Sequence, residues 1–186
     1  MKLSKLFIYP FFVLITTSFS LHGQTSYSEH IFEYISTKEG LSHNYVSKIV
    51  SDSLNVKWIA TENGVTKYDG VNFSSIQPGA NYPALKNENI ETLFIDSSNN
   101  LWIGTKSGGV SKLNIATDVL ESYNTVLDSD LDGSYRVRVI EEDNQGNIWV
   151  ATHDHGIYVV DPIQKKVLRN FKSNHVSFIV KDIKLT

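Results

Sequence analysis

Asp128-S-Asp130-L-Asp132-Gly133 sets alternate carboxylates ahead of a glycine, matching the first, third, fifth and sixth positions of a calcium loop. That spacing lets a tight turn aim several oxygens at one hard cation. The ninth position, however, is Arg136, and the twelfth is Val139 where a bidentate Glu belongs. The run reads first as a solvated acidic turn, with a weak calcium site as the alternative and no other cofactor expected. His153-Asp154-His155 places two imidazoles two residues apart, which on a strand would share a face and hold zinc. No third ligand accompanies them, so an ordinary polar loop is the first reading there too. Asp52, Asp96 and Asp143 invite a carboxylate cluster, yet each stands six residues before a Trp in the same context. Identical placement points to turn capping. Trp58, Trp102 and Trp149 have the faces of sugar-stacking platforms, but their apolar neighbours assign them to a core.

No Gly-rich phosphate loop, Gly-x-Ser-x-Gly elbow or His-Glu-x-x-His motif occurs, and no catalytic residue is assigned. The 17 basic and 20 acidic residues give −3, which excludes the basic field that would hold a nucleic-acid backbone. Zero cysteines exclude a disulfide scaffold, a thiolate metal site and a cysteine nucleophile. Nine Tyr, nine Phe and three Trp favour strands over helices.

Lys2 and Lys5 precede an apolar stretch over 6–15, and small polar residues follow. This is the pattern of a secretory signal, expected over 1–23, and it is too short for the ~20 residues of a bilayer span. Its loss removes both lysines and leaves 15 basic against 20 acidic residues, or −5. No later run reaches membrane length, so the mature chain is expected to be exported, periplasmic and free of a span.

The elements that must position these residues come from an internal repeat. Asp52-SLNVK-Trp58-IAT, Asp96-SSNNL-Trp102-IGT and Asp143-NQGNI-Trp149-VAT share their offsets. Thr61, Thr105 and Thr152 lie three after each Trp; Gly64, Gly109 and Gly156 follow, each opening a short apolar run. Val46, Ile90 and Val137 lie six before each Asp. The unit reads as four strands: first strands near 45–51, 89–95 and 136–142, and Trp strands at 57–61, 101–105 and 148–152. Gly strands follow at 64–68, 109–114 and 156–160, and edge strands near 71–76, 119–124 and 166–172.

A sheet with one wet face alternates apolar and polar residues. Here adjacent positions are apolar, as in Leu93-Phe94-Ile95, Trp102-Ile103 and Trp149-Val150, so both faces must be covered. Four-stranded sheets of about 45 residues, each sandwiched between its copies, are β-propeller blades. The fold class is therefore all-β: three four-stranded antiparallel blades plus the first strand of a fourth, in an incomplete ring. Small residues two past each Trp (Ala60, Gly104, Ala151) suggest close approach of the next blade. The blades are expected over 41–78, 79–125 and 126–173, with a fourth starting over 174–186. A strand at 31–36, within the segment 24–40, is expected to close the ring. Uncovered end blades should leave three blades alone unstable or prone to aggregate.

The run from Glu39 through GLSHNYVSKIVSDSLNVKWIATENGVTKYDG resembles the two-component regulator propeller repeat, as do the two later units. Val65, Val110 and Ile157 stand where that repeat usually has Leu. The resemblance implies the periplasmic sensor region of Bacteroidetes-type hybrid histidine kinases. It further implies a non-catalytic propeller that binds a carbohydrate or similar solute and signals to domains this chain does not contain. Loops between second and third strands should gather at one end of the ring with the inter-blade segments. They bring Glu62, Asn63, Lys106, Ser107, His153 and His155 beside His43, Asn44, Tyr82, Asn89, Tyr135, Asn174 and His175. Polar groups interleaved with Tyr and His suit a hydroxyl-rich ligand. The alternatives are an exported propeller enzyme of lyase type and a protein-interaction scaffold.

Overall fold

The computed structural model describes residues 34–127 and 135–172, without the side chain of Thr125. The segment expected to be a signal peptide, the acidic run Asp128, Asp130 and Asp132, and the expected fourth-blade start with Asn174 and His175 lie outside the described residues.

Twelve strands are present among the described residues, in three antiparallel sheets whose strand order follows the chain. Blade 1 holds β1 (Val46–Ser51), β2 (Lys57–Thr61), β3 (Gly64–Tyr68) and β4 (Phe73–Ile76). Blade 2 holds β5 (Ile90–Ile95), β6 (Asn100–Thr105), β7 (Val110–Asn114) and β8 (Val119–Ser122). One helical turn, α1 (Asn124–Leu127), precedes blade 3, which holds β9 (Val137–Glu142), β10 (Ile148–Thr152), β11 (Ile157–Asp161) and β12 (Lys166–Phe171).

The repeated Asp and Trp explain how each first hairpin closes. Asp52 Oδ1 accepts from the amides of Leu54 and Val56, Asp96 Oδ1 from Ser98 and Asn100, and Asp143 Oδ1 from Gln145 and Asn147. The chain then passes through a positive φ at Asn55, Asn99 and Gly146, the same repeat position each time. Asn and Gly tolerate that conformation. Oδ2 of the same carboxylates accepts the indole Nε1–H of Trp58, Trp102 and Trp149, at 3.0, 2.8 and 2.9 Å. Turn capping is thus half of the Asp role; the other half is to satisfy a tryptophan donor that enters the core.

Successive side chains of a strand point to opposite faces, and here both faces are occupied. In β6, Leu101 and Ile103 join Trp58, Ala60 and Val65 of blade 1, while Trp102 joins Val137, Ile140, Ile148 and Val150 of blade 3. Burying each such aliphatic side chain contributes about 1.5–3 kcal/mol. Lys67 and Lys112, at equivalent positions, lay their ammonium groups 5.4 and 5.8 Å from the Trp58 and Trp102 rings. Gly104 is the place of closest approach: a Cβ there would lie 2.7 Å from Val137 Cγ1 of the next sheet. Between sheets, β1 lies beside β5 and β5 beside β9, so the first strands line the inner side of the stack.

The end faces are different. Ile49 is 56% exposed on blade 1. On blade 3, Trp149 is half-buried and lines a cleft of about 250 Å³ with Val159, Leu168 and Arg169. Trp58 and Trp102, by contrast, are 2% and 0% exposed. The ring is not closed among the described residues.

Two local segments differ from expectation. Residues 31–33 of the expected closing strand lie outside the described residues, and Tyr34, Ile35 and Ser36 after them are not strand. The backbone groups there serve a turn instead, with Ser36 O accepting from the amides of Glu39 and Leu41 and the Glu39 carboxylate accepting from Ser36. The edge strand expected to reach residue 124 stops at Ser122, because Asn124 begins the helical turn. Its side chain bonds Val110 N and Gly108 O in place of a ladder.

Candidate functional site

The loops between second and third strands are built on the Thr–Gly pair of the repeat. Thr61, Thr105 and Thr152 donate their hydroxyls to the carbonyls of Gly64, Gly109 and Gly156, at 2.8, 3.0 and 2.9 Å. The same hydroxyls accept the amides of Asn63, Gly108 and His155. Each loop is then tied to an inter-blade segment: Gly64 N donates to Glu88 O, Lys106 N to Asn89 O and His153 N to Arg136 O. The fold thus gathers Glu62, Asn63, Lys106, Ser107, Asn89, His153 and His155 at one end of the stack. Ser42 joins them through its bonds to Thr61 and Thr66, and its carbonyl accepts from Asn63 Nδ2. His43 and Asn44 follow Ser42, with their polar atoms taken up locally by Tyr45 N and Thr37 N.

Two predicted members do not join this surface. Tyr82 sends its hydroxyl to Asp118, 3.0 Å away in the β7–β8 turn at the opposite end. Tyr135 is 2% exposed. Its hydroxyl donates to Asn124 Oδ1 at 3.1 Å, and its ring packs among Val137, Ile140 and Val150. An aromatic ring at the join of two sheets fills their gap rather than facing solvent.

The zinc reading also changes. Residues 153–155 form a bend rather than a strand. His153 Nδ1 lies 2.5 Å from Asp154 Oδ1, and the His155 ring lies 5.9 Å from that of Tyr135. Among the described residues, no three His, Cys, Asp or Glu side chains converge on a point that could hold a metal.

The strongest charge cluster was not among the expected residues. Glu91 Oε1 accepts from Arg136 Nη2 at 2.6 Å and Arg138 Nη1 at 2.8 Å, joining blades 2 and 3. Aligning the repeats puts Ser47, Glu91 and Arg138 in one column directly after Val46, Ile90 and Val137. A charged residue directly after the first apolar residue of the strand was the available signal. Burial pushes the Glu91 carboxyl up, but hydrogen bonds and charge from the two guanidiniums outweigh it and hold it below its ordinary value. Asp143 is also held low: burial raises it, and the Trp149 indole and Asn147 amides more than offset that.

These shifts set a pH dependence. A carboxyl with a lower pKa folded than unfolded stabilises the fold at pH above its unfolded value and loses that contribution as pH falls through its folded value. The melting temperature is therefore expected to be flat from pH 7 to about 5 and to drop below about pH 4, the ordinary carboxylate range. Glu91→Gln should shallow that acid limb, which a melting series across pH measures.

Residues 84–107 and 131–154 match the two-component regulator propeller model, each running to the loop after a Trp strand. The two matched segments take in β5 and β6 of blade 2 and β9 and β10 of blade 3. The fold is similar to the extracellular domain of a hybrid two-component system from B. thetaiotaomicron, at 24% identity and TM-score 0.67, over 75% of this chain and 20% of that one. A second such domain from the same organism shares 24% identity at TM-score 0.57, over 69% and 19%. Virginiamycin B lyase from Staphylococcus aureus, solved with quinupristin, is similar at 13% identity and TM-score 0.54, over 72% and 43%. The chain spans about a fifth of the length of the first two domains, and likeness at these identities establishes the propeller fold. No curated protein matches the sequence significantly. Among the described residues, no helix is long and apolar enough to cross a membrane.

Proposed function

We propose that these blades are part of an exported, periplasmic propeller that senses a solute for a two-component system, without transforming it. The observation that carries this is the match of residues 84–107 and 131–154 to the regulator propeller repeat, in two sheets stacked face to face. The ligand class best suited to the loop end is a carbohydrate. Lys106 and Ser107 are exposed and Glu62, Asn63, His153 and His155 are half-buried, so the loops offer several hydrogen-bond donors and acceptors. Its signalling partners are the output domains of such a system.

Calorimetric titration of the protein with a panel of oligosaccharides tests the reading. Saturable binding that Lys106→Ala and His153→Ala weaken is the expected result, with the sugar recovered unchanged by mass spectrometry. Recovery of a cleaved sugar would favour the enzyme, and binding of a protein but no sugar would favour a scaffold.

A further inference from the structure

The first strand of every sheet slips register at the same place. Val46 pairs with Thr61 and Lys48 with Ala60; Ile90 pairs with Thr105 and Thr92 with Gly104; Val137 pairs with Thr152 and Val139 with Ala151. One residue is left over each time: Ser47, Glu91 and Arg138. A β-bulge re-aims the side chain it carries, and bulges concentrate beside functional sites. Here three equivalent bulges sit on the inner strands, near the loop end. The first is used for structure, since Ser47 Oγ donates to Ile90 O of the next blade at 2.7 Å.

The other two leave charge unbalanced. Two guanidiniums share one oxygen of one carboxylate, a net charge of +1 on side chains only 18–33% exposed. Arg136 Nε and Arg138 Nε are shut off from solvent with no acceptor among the described residues, and Nδ1 of His155 in the adjoining loop equally has no partner among them. Half-buried donors and an excess cation cost free energy until an acceptor arrives. A planar guanidinium fork suits a carboxylate, sulfate or phosphate group, which it can bind bidentately.

We propose that Arg138, at the β9 bulge, and Arg136, just before β9, both held by Glu91, bind an oxyanion group carried by an acidic sugar. The sugar rests on the sensor reading above; the anion site rests on the charge arrangement alone.

The test is calorimetry at low ionic strength with three probes: sulfate, an oligosaccharide ending in a uronic acid, and its neutral counterpart. Hydrogen bonds to charged groups predict that the acidic sugar binds about 10- to 100-fold tighter than the neutral one. R136Q and R138Q should each remove that preference. E91Q removes the internal competitor and should tighten acidic-sugar binding several-fold. An inter-blade clamp with no ligand predicts instead that E91Q and R138Q lower the melting temperature alike and leave affinity untouched. Equal affinity for both sugars, unmoved by E91Q, would overturn the anion site and leave the sensor reading standing. Sulfate binding with neither sugar bound would keep the anion site and overturn its sugar. Failure of all three probes would overturn both.

Discussion

Asp96→Ala is expected to cost about 3–4 kcal/mol, while the same change at Asp143 costs about 1–2 kcal/mol. The difference follows from where each indole sits. Asp96 is buried, and its Oδ2 is the acceptor for the Nε1–H of Trp102, a side chain with no exposed surface. Without the carboxylate that donor is stranded between blades 2 and 3, where water does not reach. The amides of Ser98 and Asn100 lose their acceptor too, but they lie at the surface end of the turn and can turn to solvent. Trp149 is half-buried, so water can replace much of what Asp143 supplies. Asp52→Ala should fall near the Asp96 value, because Trp58 is 2% exposed. Midpoints of chemical unfolding for the three variants give the ranking. Equal losses, or the largest loss at Asp143, would mean that indole burial is not what the repeated Asp serves.

Gly109→Ala should be comparably severe, at about 3–5 kcal/mol from left-handed strain and broken buried hydrogen bonds together. Gly109 has φ +72°, and an added Cβ would collide with Asn124 Oδ1. That oxygen accepts from Val110 N at 2.8 Å and from the Tyr135 hydroxyl, and the amide of the same side chain serves Gly108 O. Moving Asn124 therefore unpairs several groups at the seam between blades 2 and 3. Gly70→Ala is the control. It has φ +99° but nothing within 4 Å of the added carbon, so only the backbone strain of about 1–2 kcal/mol remains. Similar losses at both positions would show that the crowding around Gly109 is unimportant.

The fold was legible because the repeat writes its packing into fixed columns. Trp, a small residue two positions on, and apolar neighbours between them announce a sheet covered on both sides, and Gly104 against Val137 is that reading realised. Thr and Gly were visible as markers, but their shared task of folding the β2–β3, β6–β7 and β10–β11 loops needed coordinates. The candidate site was less legible. Tyr82 and Tyr135 were chosen because they lie in inter-blade segments, and sequence does not say which end of the stack a side chain points to. Glu91, Arg136 and Arg138 escaped notice because a bulge breaks the alternation by which strand faces are read. Their pairing also crosses between blades 45 and 47 residues apart in sequence.

Exchange rates of the three indole N–H groups, read by nuclear magnetic resonance, test the stacking of the blades most directly. Trp102, enclosed by sheets on both sides, should exchange with solvent slowest, Trp58 nearly as slowly, and Trp149 much faster. A Trp102 indole that exchanges as fast as that of Trp149 would contradict the account, for it would put water where the third blade is meant to lie.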